Sequence, residues 1–329
     1  MRALLLNKIG KPYDYTVGEI DTPKPGENEV RIKVAAAALN PVDWKLAQYG
    51  AEAWTEFPRV LGLDSAGVVD AVGRQVTTFA VGDRVVQHGS LISRTGGFAE
   101  YTLSDTRHLA HIPDTVSFEE AAAAMCAGVT AHQAITRKLH VAADDVVLIH
   151  GGAGGVGSFA IQICKSIGAT VISTCSSSKM EIVRSIGADE VIDYTSEDVT
   201  ARVMEITAGL GADRILNTLD GASGVDDLKR LAFNGNLCMI VGELPSCPEG
   251  TGMFVKGQSL AYCFLGGAHV TGHSKSLIDI GRMSNELLHL MAEGTVKAVV
   301  GKTISLEEVP VCLAELEEGH AKGKTVMTL

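Results

Sequence analysis

The sequence predicts an α/β protein, with a doubly wound parallel sheet in its middle and β-rich, turn-rich chain on either side. Three observations predict it. Residues 146–157 read VVLIHGGAGGVG, a short apolar run ending in a glycine cluster where Gly152, Gly154 and Gly157 satisfy G-x-G-x-x-G. From Ser117 to about Val270, short apolar strands alternate with helix-like stretches. Before Ser117 the chain instead shows short alternating strands broken by glycine and proline, and the tail returns to that style.

Taken in order, Val30–Val34 alternates as a half-buried strand does, after a break at Pro23, Pro25 and Gly26. Gly67–Val69 and Gly82–Val86 read as further short strands bounded by glycine turns. Ser117 with Glu120 three residues later forms a capping box that opens an alanine-rich helix through Ala124. The run Val146–Ile149 is the first strand of the repeating region, and Ser158–Ser166 follows the glycines with helical apolar spacing at Phe159, Ile161, Ile163 and Ile167. Thr170–Ser173, Val191–Ile192, Arg214–Leu216 and Leu237–Val241 continue the strands, with helices over Met180–Ile186 and Val199–Thr207 between them. A helix near Leu306–Glu318 and a strand at Thr325–Leu329 close the chain. The expected domains are therefore 1–123, completed by 299–329, and 124–298.

The composition narrows what such a protein does. At 329 residues the chain suits about two domains, and 46% hydrophobic against 20% charged residues argues for well-buried globular structure. The net charge of −11 with no basic cluster disfavours nucleic acid and anionic membranes as partners. No apolar run approaches the ~18 residues a membrane span requires. Leu4–Leu6 is too short for a secretion signal, and the seven scattered cysteines read as reduced thiols, so a cytoplasmic protein is expected.

Strand, glycine turn and helix are what a dinucleotide pyrophosphate requires. Gly152, Gly154, Gly155, Val156 and Gly157 bring bare backbone to the phosphates, and the helix N-terminus offers free N–H groups and a positive dipole end. Enzymes that use NAD place an acidic residue about 20 residues further on. Here the second strand ends in Cys175-Ser176-Ser177-Ser178-Lys179, with hydroxyls and a cation but no carboxylate. That composition favours a 2′-phosphate, hence NADP(H) over NAD(H), although the same run would also serve as a polar turn capping the next helix. His150 reads as a structural residue at a strand end. His88, His108 and His111 come closest to a metal-ligand set, yet they lack short convergent spacing and read as ordinary surface or hydrogen-bonded histidines; no metal is expected.

The chain resembles the zinc-independent medium-chain dehydrogenases/reductases, in their quinone and enone oxidoreductase branch, over essentially its whole length. The resemblance rests on Asn40-Pro41-Val42-Asp43-Trp44-Lys45, on Pro58 through Gly62-Leu63-Asp64-Ser65-Ala66-Gly67-Val68 to Gly73, and on Gly82-Asp83-Arg84-Val85. Gly97-Phe98-Ala99-Glu100-Tyr101, Cys126-Ala127-Gly128-Val129-Thr130-Ala131, the glycine turn, Gly187-Ala188-Asp189 and Gly319-His320-Ala321-Lys322-Gly323-Lys324 add to it. It implies a GroES-like β-rich catalytic domain, a Rossmann domain, NADPH as reductant and a cleft between the two. Zinc-containing relatives place a His-Glu pair where Leu63-Asp64 stands and carry a lobe of four close cysteines that residues 85–115 lack. By the same resemblance Ser176, Ser177, Lys179 and Tyr194 hold the 2′-phosphate, Thr130 faces the nicotinamide, and Val241 and Gly242 wrap its ribose. Lys324 reaches the cofactor or is simply a solvated cation. The family is often dimeric, and the apolar segment Ser259–Val270 at the expected sheet edge is the candidate for pairing two copies.

Without zinc, the chemistry expected is hydride addition to an electron-poor acceptor, a quinone or the β-carbon of an α,β-unsaturated carbonyl, which a few hydrogen-bond donors support. Asn40 is the candidate polar group facing substrate or ribose, although Asn-Pro also opens turns. Asp43 would orient neighbours or act as an acid if its pKa were raised. Asp64 reads as structural. Trp44 and Trp54 would line an apolar acceptor site or simply pack. The tyrosine that some related enoyl reductases carry just after a glycine is misplaced here, because Tyr49 precedes Gly50, and solvent becomes the alternative proton source. Two other functions remain: an enoyl-thioester reductase, and a non-catalytic NADPH-binding sensor or structural protein.

Overall fold

A computed structural model describes residues 1–50, 56–245, 252–319 and 323–329. Trp54, Cys247 and residues 320–322 of the closing motif lie outside the described residues. The chain divides into two compact units, Met1–Val129 with Leu265–Leu329, and Thr130–Phe264.

The first unit begins with β1 (Arg2–Leu6), β2 (Tyr15–Glu19), β3 (Glu29–Ala38), α1 (Pro41–Tyr49), β4 (Arg59–Val60), β5 (Asp64–Val72), β6 (Arg84–His88), β7 (Tyr101–Asp105), β8 (Leu109–His111) and α2 (Phe118–Ala124). β1 pairs antiparallel with β2 and β4. β3 is the central strand of a second, larger sheet, pairing antiparallel with β5 and β7. Its alternation is real: Val30, Ile32 and Val34 are buried, while Arg31 and Lys33 are not. Val30 and Ile32 join Val69, Val85 and Leu109 in one apolar cluster, and Val34 joins Leu4, Leu6 and Phe98 in another. Gly67 is required where β5 passes β3, because a Cβ there would stand 2.0 Å from the Lys33 carbonyl oxygen. The capping box at α2 forms as expected, with Ser117 Oγ accepting the Glu120 N–H (3.1 Å) and Glu120 accepting the Ser117 N–H (3.1 Å).

A π-helical stretch Met125–Val129, then α3 (Thr130–His132) and a second π-helical stretch Gln133–Lys138, lead into the second unit. Its elements are β9 (Val146–Ile149), α4 (Gly155–Ile167), β10 (Thr170–Cys175), α5 (Met180–Ser185), β11 (Glu190–Asp193), α6 (Val199–Ile206), β12 (Ala212–Asn217), α7 (Gly221–Arg230), β13 (Leu231–Met239), α8 (Met253–Lys256) and β14 (Ser259–Tyr262). The strands form one six-stranded sheet in the order β11-β10-β9-β12-β13-β14, and every pairing is parallel. This is the doubly wound arrangement, with the direction of strand order reversing between β9 and β12. Leu148, Ile172, Ile192, Ile215 and Leu237 fill its core at full burial.

The chain then returns through α9 (Gly266–Thr271), α10 (Ser274–Ala292), β15 (Val300–Ile304), α11 (Val309–Glu317) and β16 (Lys324–Thr328), and β16 pairs antiparallel with β3. The boundaries differ from the expected 123/124 and 298/299. Residues 124–129 and 265–298 fall in the first unit, where α10 packs on the Arg107–His108 turn and on β8. Gly281 permits that approach: a Cβ there would stand 2.6 Å from the Arg107 carbonyl oxygen. The apolar segment Ser259–Val270 is also not one strand; only β14 is extended, and the rest turns into α9.

Candidate functional site

In the second unit a cleft of about 550 Å³ opens where β9, β10, β11 and β12 end. Its lining includes Gly151, Ala153 and Gly154 from the glycine turn, Ser176 and Lys179 beyond β10, Tyr194 beyond β11, and Thr218 and Ser223 beyond β12. Ligands of doubly wound sheets bind at this carboxyl edge. The turn is shaped by close packing. Gly152 is buried against Ser173, and a Cβ on Gly157 would lie 2.3 Å from the Gly151 carbonyl oxygen. Gly154 is the exposed N-cap of the 13-residue α4, followed by the exposed Gly155 and the half-buried Val156, so bare backbone and a helix N-terminus face the solvent there.

Charge in the cleft is set by what the side chains already do. Lys179 and Ser177 are exposed, and the Lys179 ammonium makes no ion pair or hydrogen bond among the described residues. Ser176 Oγ meets only Ser178 Oγ, at 3.4 Å. The nearest carboxylate in register with the end of β10 is Asp193, opposite Cys175. It accepts from Thr195 Oγ1 (2.6 Å), Thr195 N–H (3.0 Å) and Ser196 Oγ (3.0 Å) of its own loop and from the Ser177 N–H beyond β10, and these donors hold its pKa below the usual carboxylate range. Tyr194 is 58% exposed. Val241 and the positive-φ Gly242 follow β13 and do not line this cleft. Thr130, half-buried, accepts the Cys263 thiol on its carbonyl (3.8 Å).

The first unit holds a second polar cluster. Asn40 caps α1 and is 1% exposed, with both amide and carbonyl engaged. Its Nδ2 donates to Asp64 Oδ2 (2.8 Å) and to the Ala38 carbonyl (3.2 Å), and its Oδ1 accepts from Lys324 Nζ. Lys324 also donates to the Leu39 carbonyl (3.0 Å). Asp43 accepts the Asn40 N–H (2.8 Å) and the Leu63 N–H (3.3 Å), and Asp64 accepts the Cys126 N–H (2.8 Å). Burial pushes the Asp43 carboxyl up to about 7, the neighbouring Asp64 adding to the rise, and burial pushes Asp64 up to about 6 against the pull of Lys324. Asp64 Oδ1 has no partner. With its amide nitrogen and oxygen both engaged, Asn40 ties β3, α1, β5 and β16 together. Lys324 is held in the same network and is buried rather than solvated.

The histidines also depart from expectation. His88 and His108 are buried, and they cluster with His269, which no spacing in the sequence linked to them. His88 Nδ1 lies 3.2 Å from His269 Nε2, the His88 and His269 rings stack at 5.3 Å, and the His108 ring meets that of His269 edge-on at 4.8 Å. Desolvation lowers their pKa values to about 3, 4 and 2 for His88, His108 and His269, with neighbouring histidines adding to the fall at His88 and His269, and Arg107 at His108 and His269. Three imidazoles that stay neutral form a packed core cluster. His111 is half-exposed and stacks on Phe79. No group of three or more His, Cys, Asp or Glu among the described residues is arranged to hold a metal ion.

A doubly wound sheet with a glycine turn at its carboxyl edge, in one chain with a β-rich unit built from both ends of that chain, defines the class of two-domain dinucleotide-dependent dehydrogenases. Comparison with known proteins agrees. Residues 26–114 match the alcohol dehydrogenase GroES-like domain and residues 186–327 match the zinc-binding dehydrogenase family. The chain is 31% identical to the chloroplastic quinone-oxidoreductase QR1 of Triphysaria versicolor, over 94% of this chain and 92% of that one. It is 36% identical to the trans-enoyl reductase tndF of Aspergillus flavipes, over 76% of each. The solved structure of an alcohol dehydrogenase superfamily protein from Novosphingobium aromaticivorans superposes with a TM-score of 0.89 at 27% identity, covering 99% of this chain and 100% of that one. The chain belongs to the medium-chain dehydrogenase/reductase family, in its quinone oxidoreductase-like branch. It is an oxidoreductase of a family that uses a nicotinamide cofactor.

Proposed function

We propose that this protein is an NADPH-dependent, zinc-independent reductase that delivers hydride to a quinone or to the β-carbon of an α,β-unsaturated carbonyl. The observation that carries the reading is the cleft beyond β10, which combines bare glycine backbone, an uncommitted Lys179 ammonium and serine hydroxyls with a neighbouring Asp193 already engaged by Thr195, Ser196 and the Ser177 N–H. A 2′-phosphate needs donors and a cation there, whereas a 2′-hydroxyl needs a carboxylate acceptor. NADPH, when bound, supplies the hydride.

The chain's own part is binding and positioning. Backbone N–H groups at Gly155–Gly157 receive the pyrophosphate at the α4 N-terminus, beside the bare backbone of Gly152 and Gly154, while Ser176, Ser177, Lys179 and Tyr194 take the 2′-phosphate. Thr130 offers a hydroxyl to the nicotinamide, and Val241 with Gly242 accommodates its ribose. Asn40 and Asp43 serve the reaction by holding the first unit's strands and α1 in register, and the proton that completes reduction comes from solvent. The quinone oxidoreductase and trans-enoyl reductase relatives support the two acceptor classes. The apolar Tyr262 and Phe264, exposed at and just beyond the edge strand β14, support pairing of two copies there. Free thiols at Cys126, Cys164, Cys175, Cys238, Cys263 and Cys312 support a reducing compartment such as the cytoplasm.

The test is oxidation of NADPH, with NADH in parallel, against a panel of quinones, enones and enoyl thioesters, with and without a chelator. Turnover with NADPH well above NADH, indifferent to chelation, is the expected result. Binding of NADPH with no acceptor reduced would turn the reading to a sensor, and loss of activity on chelation would refute zinc independence.

A further inference from the structure

Beneath the glycine turn lies a chain of buried polar groups that the reaction scheme above does not use. His150, which follows β9, is 2% exposed. Its Nδ1 lies 3.1 Å from Thr174 Oγ1, and its Nε2 lies 2.8 Å from Asp227 Oδ1. Thr174 Oγ1 also accepts the Gly151 N–H (3.2 Å), the first amide of the turn. Asp227, on α7 and fully buried, further accepts from Arg230 (2.8 Å) and from Asn217 Nδ2 (2.7 Å). Asn217 in turn accepts the Leu219 N–H (2.9 Å) and donates to Ser223 Oγ (2.9 Å), while Thr218 Oγ1 donates to the His150 carbonyl (2.8 Å).

The Thr174 hydroxyl thus joins the first amide of the turn to the imidazole, and Asp227 joins the imidazole to Arg230. Burial raises the Asp227 pKa, but His150, Asn217 and Arg230 more than offset this and leave it below the ordinary carboxylate value.

Three walls of the cleft hang from this chain: Gly151 of the turn, the end of β10 at Thr174, and the loop after β12 at Thr218, Leu219 and Ser223. We infer that His150 and Asp227 are positioning residues for the cofactor, holding the glycine turn in register with the facing loop through the Thr174 hydroxyl. The inference rests on the cofactor reading above for its binding consequence, but its structural content stands apart from it. An apolar isostere at Thr174 removes both of its hydrogen bonds and frees the Gly151 amide, without touching any group assigned to the phosphates.

The test compares Thr174→Val with Thr174→Ser. Expected for Thr174→Val is a rise of about tenfold in KM for NADPH with kcat on phenanthrenequinone within about twofold, because a misplaced turn loses ground-state binding and transition-state binding alike. Expected without any cofactor is amide hydrogen exchange at Gly151 faster by about tenfold or more, as its hydrogen bond is lost. Thr174→Ser, which keeps the hydroxyl, should return both quantities to the parent values. His150→Gln, which leaves the Gly151 hydrogen bond to Thr174 in place, carries the same expectation for KM and kcat and serves if Thr174→Val does not fold. Unchanged KM and unchanged exchange would overturn the inference, as would a fall in kcat with KM intact. If the parent protein binds no NADPH, the cofactor reading falls while exchange at Gly151 still judges the relay: faster in Thr174→Val and restored in Thr174→Ser supports it, and unchanged exchange overturns it.

Discussion

Removing the Lys179 ammonium tests the cofactor reading most directly. Lys179 is exposed and makes no ion pair or hydrogen bond through its ammonium among the described residues, so Lys179→Ala takes away nothing that the folded protein uses. Its melting temperature should match the parent's. A charge-assisted contact to a phosphate contributes about 1.5–3 kcal/mol when desolvated, and solvent exposure reduces this to about 1–2 kcal/mol. That corresponds to a rise of about 5–30-fold in the Kd for NADPH. NADH lacks the 2′-phosphate and should be unaffected. Titration of cofactor fluorescence with both dinucleotides gives the ratio, and repeating it at high salt should shrink the parent's NADPH preference toward that of the variant. An equal change for NADPH and NADH, or no change for either, would refute the assignment of Lys179 to the 2′-phosphate.

Three further expectations follow from other parts of the molecule. Asp43 and Asp64 both have folded pKa values raised above the ordinary 3.8, so the stability their protonation contributes is full below about pH 3.8 and is lost progressively until pH has risen through about 6 to 7. Thermal unfolding across that window should show a falling midpoint that flattens in Asp43→Asn, and an unflattened fall would show that other groups titrate. Gly157→Ala drives a Cβ into the Gly151 backbone, which cannot swing aside. Overpacking of about 1–3 kcal/mol should lower the melting temperature by about 2–12 °C, read by calorimetry. If β14 pairs two copies, Phe264→Glu should convert a dimer to a monomer in sedimentation velocity, and an unchanged coefficient would place any association elsewhere.

The parallel sheet was legible because its strands are buried on both faces and are short. Val146–Ile149 is almost uniformly apolar and is found with the bounds expected. The other strands were located but trimmed: β13 begins at Leu231, where Asn234, Gly235 and Asn236 interrupt the apolar pattern and hide its first half. Helices with weak apolar stripes escaped. α7 carries Gly221 and Gly224 among polar residues, and Gly224 is there because a Cβ would come within 2.8 Å of Leu244 and Met239. α10 is the larger omission, since its 19 residues bury Leu277, Ile280, Met283, Leu287 and Leu288 at helical spacing. That periodicity was present in the sequence, and α10 also carries the chain back to the first unit.

The candidate site divides along the same physical line. Groups that meet a ligand through local backbone are written locally: the glycine turn declares itself because only glycine tolerates the approach of Gly151 to Gly157. Groups that work by meeting one another do not. Thr174, His150 and Asp227 are 24 and 77 residues apart as partners, and Asn40 and Lys324 meet across 284. Each of these residues has an ordinary local explanation, a strand end, a helix face or a turn opener, and only the fold brings their polar atoms within 3.2 Å. The burial that hides such a network also favours pairing within it, because an unmatched donor there would cost more than the hydrogen bond contributes, and in the Asn40 cluster Asp64 Oδ1 is left unpaired among the described residues. Asn40 illustrates the consequence. Its amide donates to Asp64 and to the Ala38 carbonyl and accepts from Lys324, so one buried side chain aligns β3, α1, β5 and β16.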